Sequence, residues 1–128
     1  MPITAADIVE LQQLTSLYCH LIDRGETESF DRIYTEDATW DLSAIGAGVI
    51  EGLPAIREFV KSAANPIAHH LDCVYVAEVD GKVVVRSKVM MYASLGNVRA
   101  GIELINVVTR TDNGWRVKHR HPEILGRS

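Results

Sequence analysis

The sequence predicts an α+β domain in which N-terminal helices cover one face of a long, mostly antiparallel sheet. Two observations lead to this fold class. Apolar residues recur at three- and four-residue intervals near the start of the chain, which is the helical period. From residue 69 onward, runs rich in β-branched residues are separated by turn signals, which is typical of strands. Helices that precede an antiparallel sheet in the chain are typical of an α+β domain. In such a domain the helices cover one face of the sheet, so that both layers bury their apolar faces.

Three helices are predicted. Thr4 and Asp7 stand at capping-box spacing, and the apolar positions after them predict a first helix that ends at Gly25. A shorter helix is predicted over residues 28–34. A third is predicted over residues 54–60, because its leading proline suits a first helical turn. The 128 residues are enough for one domain with a core and a small pocket, so we expect a single domain over the whole chain, 1–128.

The strands are predicted from runs that suit a pleated, half-buried surface. The sequence ATWDL, between the second and third helices, predicts one short strand over residues 38–42. An antiparallel meander of four strands is predicted after it. Its strands cover residues 69–79, 82–95, 99–111 and 115–124, and its turns lie at Asp80-Gly81, Gly96-Asn97 and Asp112-Asn113-Gly114.

The composition argues against several classes of function. The formal net charge is −4, and the basic residues of RVKHRH alternate along one strand instead of forming a stripe, so nucleic acid is not an expected partner. The apolar runs are too short to span a membrane, and the N-terminus lacks the pattern of a secretory signal, so we expect a cytoplasmic protein. Cys19 and Cys73 lie in apolar segments outside any zinc-binding spacing, which predicts buried free thiols.

The end of the first helix contains a candidate site residue. Asp23 falls in the last turn, where the helix dipole disfavours a negative charge, so a compensating partner is expected. The alternative is a solvated carboxylate paired loosely with Arg24. His69 and His70 open the next long strand and must point to opposite faces of the sheet, so one of them can face a pocket. Alternation does not decide which one, because both sets of side chains along this strand are partly apolar.

Four segments together resemble the SnoaL-like branch of the NTF2-like superfamily. They are YCHLIDRGETESFDRIYTEDATWD at residues 18–41, the two histidines before an apolar strand, EVDGKVVVRS at 78–87, and VVTRTDNGWRVKHR at 107–120. The resemblance covers nearly the whole chain and implies a cone, in which three N-terminal helices pack on a curved sheet around an apolar pocket. The superfamily also includes scytalone dehydratase, bile acid 7α-dehydratase and hexachlorocyclohexane dehydrochlorinase.

The resemblance implies a catalytic pair. Several lyases of this superfamily share an aspartate that closes the first helix and a histidine that opens the strand after the third, and these positions match Asp23 and His70. The carboxylate would fix the imidazole tautomer and stabilise the imidazolium once the imidazole has taken a proton. We therefore expect Asp23 and His70 to lie within hydrogen-bond reach, with His69 on the other face.

The resemblance also implies substrate-binding residues. Arg120 matches an arginine on the last strand of the dehydrochlorinase and is expected to bind a leaving group or a developing oxyanion. Simple alternation places Arg120 opposite Trp115 unless a β-bulge intervenes, and a solvated basic strand face is the alternative. Trp40 matches a pocket tryptophan, and with Tyr18 and Tyr92 it is expected to form the wall of a site for a cyclic substrate. Plain core packing is the alternative.

The function that these residues predict is a cofactor-independent lyase, of the dehydratase type, that acts on a small cyclic or polyketide-like substrate. One alternative is an isomerase like ketosteroid isomerase, or a polyketide cyclase. Another is a non-catalytic binding module, or a subunit like the β subunit of ring-hydroxylating dioxygenases. His119 and His121 form an HxH pattern without a third ligand, so no metal is expected. Apolar residues on the other face of the sheet predict a homodimer or homotrimer.

Overall fold

The structure, a computed structural model, describes residues 2–94 and 97–125 and confirms the predicted α+β fold class. Its strands form one curved sheet in the order β2-β1-β6-β5-β4-β3. Neighbouring strands are antiparallel except β1 and β6, which run parallel. The elements are α1 (Ala5–Asp23), a 3₁₀ helix (Thr27–Arg32), β1 (Tyr34–Leu42), a 3₁₀ turn (Ser43–Ile45), β2 (Gly48–Glu51), α2 (Leu53–Ser62), β3 (Ala68–Val79), β4 (Lys82–Ser94), β5 (Asn97–Thr111) and β6 (Gly114–Ile124).

The three predicted helical segments lie where they are expected, but they are not all α-helices, and an additional 3₁₀ turn lies at Ser43–Ile45. α1 ends as predicted, and Gly25 takes the left-handed φ of +68° that closes such a helix end. The second helix is a 3₁₀ helix that stops at Arg32, two residues before the predicted end. It stops there because Tyr34 already pairs with Val117 of β6, so sheet pairing overrides the local helical pattern.

The strands differ from the prediction mainly at the start of the sheet. β1 begins four residues before the predicted segment 38–42, and the short strand β2, which pairs with it, was not predicted. The predicted hairpin turn at Asp80-Gly81 is confirmed, and both residues have positive φ, as the favoured two-residue turn requires. The turn predicted at Gly96 lies outside the described residues.

The core lies between the helices and the concave face of the sheet. α1 packs against β3, and α2 packs against β1, so each helix buries one apolar stripe. Side chains from every layer are fully buried there. They include Leu11, Phe30, Ile33, Leu53, Ile56, Val85 and Val89.

β6 changes the face that it buries partway along its length. Trp115 and Val117 are buried, and strict alternation would then turn Arg120 outward. However, Val117 and His119 pair with consecutive residues of β5, which leaves Lys118 as an extra, exposed residue. Beyond this β-bulge the even-numbered residues of β6 face the concave side of the sheet, so Arg120 is only 2% exposed.

A second bulge interrupts β3. Between Asp72 and Tyr75 the strand carries one residue more than β4 does, and Cys73 takes a φ of +57°, which is uncommon for a residue with a side chain. Odd-numbered residues face the core before the bulge, and even-numbered residues such as Val74 face it afterwards. The bulge exposes the thiol of Cys73, so the prediction that it is buried was wrong, whereas Cys19 is buried as predicted.

Asp7 joins the start of α1 to the sheet. Its carboxylate accepts hydrogen bonds from the backbone N–H and the hydroxyl of Thr4, from Nε1 of Trp115 at 3.1 Å, and from Nη2 of Arg110 at 2.9 Å. These bonds, with that from the Thr4 backbone as the largest cause, hold the pKa of Asp7 far below its ordinary value of 3.8. The capping box that the sequence predicts is therefore also a long-range contact.

Asp7→Asn should lower the free energy of unfolding at neutral pH. A carboxyl whose folded-state pKa is depressed stabilises the fold above its unfolded pKa, and this contribution is lost as the pH falls. The difference in the free energy of unfolding between the wild type and the variant should therefore become smaller as the pH drops below about 3.8. Urea unfolding at neutral pH and in steps below pH 4 measures it, with Asp112→Asn in an exposed turn as the control. A gap that stays constant would contradict the role assigned to the charge.

Deleting Lys118 should destabilise the protein far more than Lys118→Ala. Without the extra residue, either Arg120 or the pair Trp115 and Val117 must leave the concave face. We expect a loss on the order of 3 kcal/mol or more from the disrupted core, against a few tenths for the alanine variant of this exposed side chain. Chemical unfolding of both variants tests this, and equal stabilities would show that the bulge does not set the face of β6.

Candidate functional site

The carboxylate at the end of α1 binds the first histidine of β3. Oδ1 of Asp23 lies 2.6 Å from Nδ1 of His69, and Oδ2 accepts the backbone N–H of the same residue at 3.0 Å. The His69 side chain is 5% exposed and that of Asp23 is 25% exposed, so water competes weakly for this contact. An acceptor on Nδ1 favours the tautomer that carries its proton there, which leaves Nε2 with a free lone pair. The arrangement is that of an oriented general base.

The predicted partner of Asp23 was therefore the wrong histidine. His69 lies on the concave face, whereas His70 is exposed and stacks edge-on against Tyr92, with ring centroids 5.1 Å apart. The physical reason is the bulge at Cys73, which makes the buried set odd-numbered at the start of β3 and even-numbered beyond it. Reading the strand as one regular alternation could not identify the inward histidine.

Arg120 lies in the interior, on the concave face. Its Nε donates to Oδ1 of Asn106 at 2.8 Å, across the pairing of β5 with β6. Neither Nη1 nor Nη2 meets hydrogen-bond geometry with any described residue, and no described carboxylate forms an ion pair with the guanidinium. A buried charge without an ionic partner is costly for the fold, so this position is a candidate for contact with a negatively charged group.

Three aromatic rings surround the guanidinium. Its central carbon lies 4.0 Å from the ring centre of Tyr18, 5.3 Å from that of Tyr34 and 5.6 Å from that of Trp40. Such contacts stabilise a cation without neutralising it. Burial raises the pKa of the Tyr18 hydroxyl, while the positive charge of Arg120 opposes that rise. Tyr18 also contacts the ring of His69, with centroids 5.9 Å apart, so it lies between His69 and Arg120.

An open groove of about 660 Å³ borders α1 and the edge strand β3. Asp23 and His69 line it, as do His70 and Tyr92. Cys19 lies beside Asp23 in this groove, and burial raises the pKa of its thiol to about 11, so it is protonated near neutral pH. The groove thus gives access to the Asp23–His69 pair.

The predicted substrate-binding residues separate into two groups. Tyr92 reaches the groove, but it lies beside His70 and not beside the pair formed by Asp23. Tyr18, Trp40 and Arg120 contact one another in the interior, where each is at most 6% exposed. Any substrate that contacts Arg120 must therefore displace interior side chains. Trp40 and Tyr18 fit both the predicted wall of a site and the alternative of core packing.

The HxH pattern lies on the outer face of the sheet. The rings of His119 and His121 are 5.8 Å apart, and Nδ1 of His119 lies 2.6 Å from Oγ1 of Thr39. The pKa of His119 is lowered, and burial of the ring is the largest cause. Within residues 2–94 and 97–125, no group of three or more side chains is arranged to hold a metal ion. No helix in this described part of the chain is long and apolar enough to cross a bilayer.

Sequence reasoning missed Asn106 and assigned His69 to the outer face of the sheet. Asn106 is 1% exposed in the middle of β5, and a buried asparagine within an apolar strand is itself a signal, because its amide must find partners. Tyr34 was also missed, since it was assigned to the end of a helix and not to the start of β1. Its hydroxyl is buried, and burial raises its pKa strongly.

The helices over a six-stranded curved sheet form the NTF2-like fold. The chain belongs to the SnoaL-like domain family, whose profile matches residues 4–121. An uncharacterised protein of Mycobacterium tuberculosis is 28% identical over 123 residues, which cover 90% of this chain and 83% of that protein.

Two crystal structures of Novosphingobium aromaticivorans proteins are similar. One, a proposed aromatic ring hydroxylase, is 27% identical with a TM-score of 0.78, covering 98% of this chain and 94% of that one. The other, an NTF2-like protein with a cystatin-like fold, is 23% identical with a TM-score of 0.81, covering 96% and 84% of the two chains. The second likeness supports the fold alone.

The contact between Asp23 and His69 should give a distinct NMR signal. A proton on Nδ1 that is shared with a carboxylate 2.6 Å away resonates far downfield and exchanges slowly when shielded from water. Asp23→Asn should remove this resonance or move it upfield. His70→Ala should leave it in place, since His70 has a different partner. Loss of the resonance in the His70 variant, with retention in the Asp23 variant, would contradict the pairing of Asp23 with His69.

Proposed function

We propose that this protein is a cofactor-independent lyase of the dehydratase type, in which His69 is the general base and Asp23 is its partner. The observation that supports this most directly is the double contact of Asp23 with His69 at the groove. Proton abstraction needs a base held in one tautomer, a path for the substrate and a site for the developing negative charge. The groove and the buried Arg120 supply the second and third requirements.

The reaction begins with transfer of a proton from a substrate carbon to Nε2 of His69. The electron pair of that C–H bond forms the new double bond, either directly or through an enolate, and the bond to the leaving oxygen breaks. The proton held by the imidazolium then passes to the leaving hydroxide, so water departs and the base is regenerated. Asp23 stays ionised throughout and stabilises the imidazolium. Every proton is accounted for without a cofactor.

Arg120 is proposed to stabilise the negative charge that develops on the substrate. Its two Nη groups, which meet hydrogen-bond geometry with no described residue, can donate to an enolate oxygen or to a leaving group, and the nonpolar rings around the guanidinium strengthen that attraction. Because Arg120 is 2% exposed, the substrate must open the interior to reach it. Tyr18, which lies between His69 and Arg120, is the side chain whose movement would join the groove to this site.

The proposed substrate is a small cyclic or polyketide-like molecule that carries an acidic C–H bond next to a carbonyl. Aromatic walls at Tyr18 and Trp40 suit a flat or ring-shaped substrate. The similar protein described as a proposed aromatic ring hydroxylase would act on an aromatic ring, which agrees with this class of substrate. A ketosteroid-isomerase-like reaction would share the first step and differ in where the proton returns.

The exposed face of the sheet bears on the assembly of the protein. Several apolar side chains are exposed on the sheet, among them Tyr75 at 63% and Met90 at 41%. Exposed apolar surface of this kind is common at subunit interfaces, and we propose a homodimer or homotrimer. A cytoplasmic location remains a prediction of the sequence.

The base can be tested before the natural substrate is known. Wild-type protein incubated in D₂O with a panel of cyclic β-hydroxyketones and cyclic ketones should exchange the proton beside the carbonyl, and NMR measures the exchange. Product olefin or a moved double bond would then distinguish elimination from isomerisation. His69→Gln should slow exchange by about 100-fold or more, and Asp23→Asn by about 10-fold or more.

His70→Gln is the matched control, because it makes the same change one residue away, at a groove side chain that packs on Tyr92 and does not pair with Asp23. It should leave the exchange rate close to that of the wild type. Thermal unfolding of all three variants separates loss of activity from loss of fold. Equal losses at His69 and His70, or wild-type exchange in the His69 variant, would overturn the assigned base.

A further inference from the structure

We propose that Asn106 is a positioning residue that orients the Arg120 guanidinium while leaving its charge uncompensated. This inference rests on the proposed function, in which Arg120 meets a developing negative charge. It assigns a role to a buried polar side chain that contacts neither the groove nor the base. The role depends on Asn106 being neutral as much as on its hydrogen bond.

The geometry fixes one edge of the guanidinium. Asn106 and Arg120 are direct partners in the pairing of β5 with β6, and Oδ1 accepts from Nε at 2.8 Å. Both residues are almost completely buried, at 1% and 2% exposure. The bond to Nε holds the plane of the guanidinium. Neither Nη1 nor Nη2 meets hydrogen-bond geometry with a described residue, so both can donate to another group.

The chemistry of the acceptor decides how much charge remains. A carboxylate at this position would form a buried ion pair and neutralise the arginine, which would stabilise the fold but weaken its attraction for another anion. An amide oxygen accepts the same hydrogen bond without a net charge. The nearby carboxylate of Asp23 contacts His69 with both of its oxygens and forms no ion pair with Arg120. Asn106 therefore keeps the cation oriented and available.

This division of roles predicts opposite effects on stability and on binding. Asn106→Asp keeps the shape of the side chain and its acceptor, so the temperature of unfolding should be equal to or above that of the wild type. Its affinity for an oxyanion should fall, because the added charge competes for the guanidinium. A merely structural role for Asn106 would make stability and affinity change together.

The experiment uses para-nitrophenolate, a planar aromatic oxyanion whose absorbance changes on binding and which resembles an enolate. The wild type should bind it, and Arg120→Met should abolish binding. Asn106→Asp should lower the affinity about tenfold or more without lowering the unfolding temperature. Asn106→Leu keeps the charge of Arg120 but removes its acceptor, so it should lower both affinity and stability. Thr109→Asp, which adds a charge to the outer face of β5, is the control and should bind like the wild type.

Several outcomes would overturn the proposal. They are wild-type affinity in either Asn106 variant, failure of Asn106→Asp to fold, and absence of phenolate binding by the wild type. The Asp23–His69 base is judged separately, by proton exchange in the His69 variant. Retained exchange chemistry together with failed phenolate binding would reject the role of Asn106 and Arg120 alone, whereas the reverse would reject the base alone.

Discussion

The single extra residue at Lys118 determines what the concave face contains. Before it, β6 turns Trp115 inward, where the indole reaches Asp7 and fastens the start of α1 to the sheet. After it, the strand turns Arg120 inward, where it meets Asn106 and the aromatic rings. A regular strand could supply the structural anchor or the buried cation, but not both from these positions. The bulge therefore lets one strand support the fold at one end and the site at the other.

Much of the fold follows from local patterns in the sequence. Capping and apolar period identify α1, and the Asp80-Gly81 turn identifies the hairpin of β3 and β4, because these signals act between residues close in sequence. The 3₁₀ helix and β2 were less predictable, since pairing with distant strands decided their form. Local propensity yields to such tertiary pairing, which one sequence does not reveal.

The candidate site was predictable in its residue types but not fully in its geometry. A carboxylate at a helix end needs a partner, and two adjacent histidines opening a strand offer one, so a contact of Asp23 with one of them could be expected from the sequence. Choosing between His69 and His70 required the face of β3, which the bulge at Cys73 hides from any regular alternation. Arg120 posed the same difficulty on β6. Both uncertainties come from one-residue insertions, which shift a strand's face without changing its composition.

The two-oxygen contact of Asp23 has a consequence for the edge of the sheet. Among the described strands, β3 lies at an edge of the sheet, and edge strands open more readily than central ones. At its second residue, the backbone N–H of His69 donates to Oδ2 of Asp23 at the end of α1. The same carboxylate that orients the imidazole thus fastens the start of this strand to the helix. Opening of the sheet at this edge would therefore also release the ring of His69 from the end of the helix.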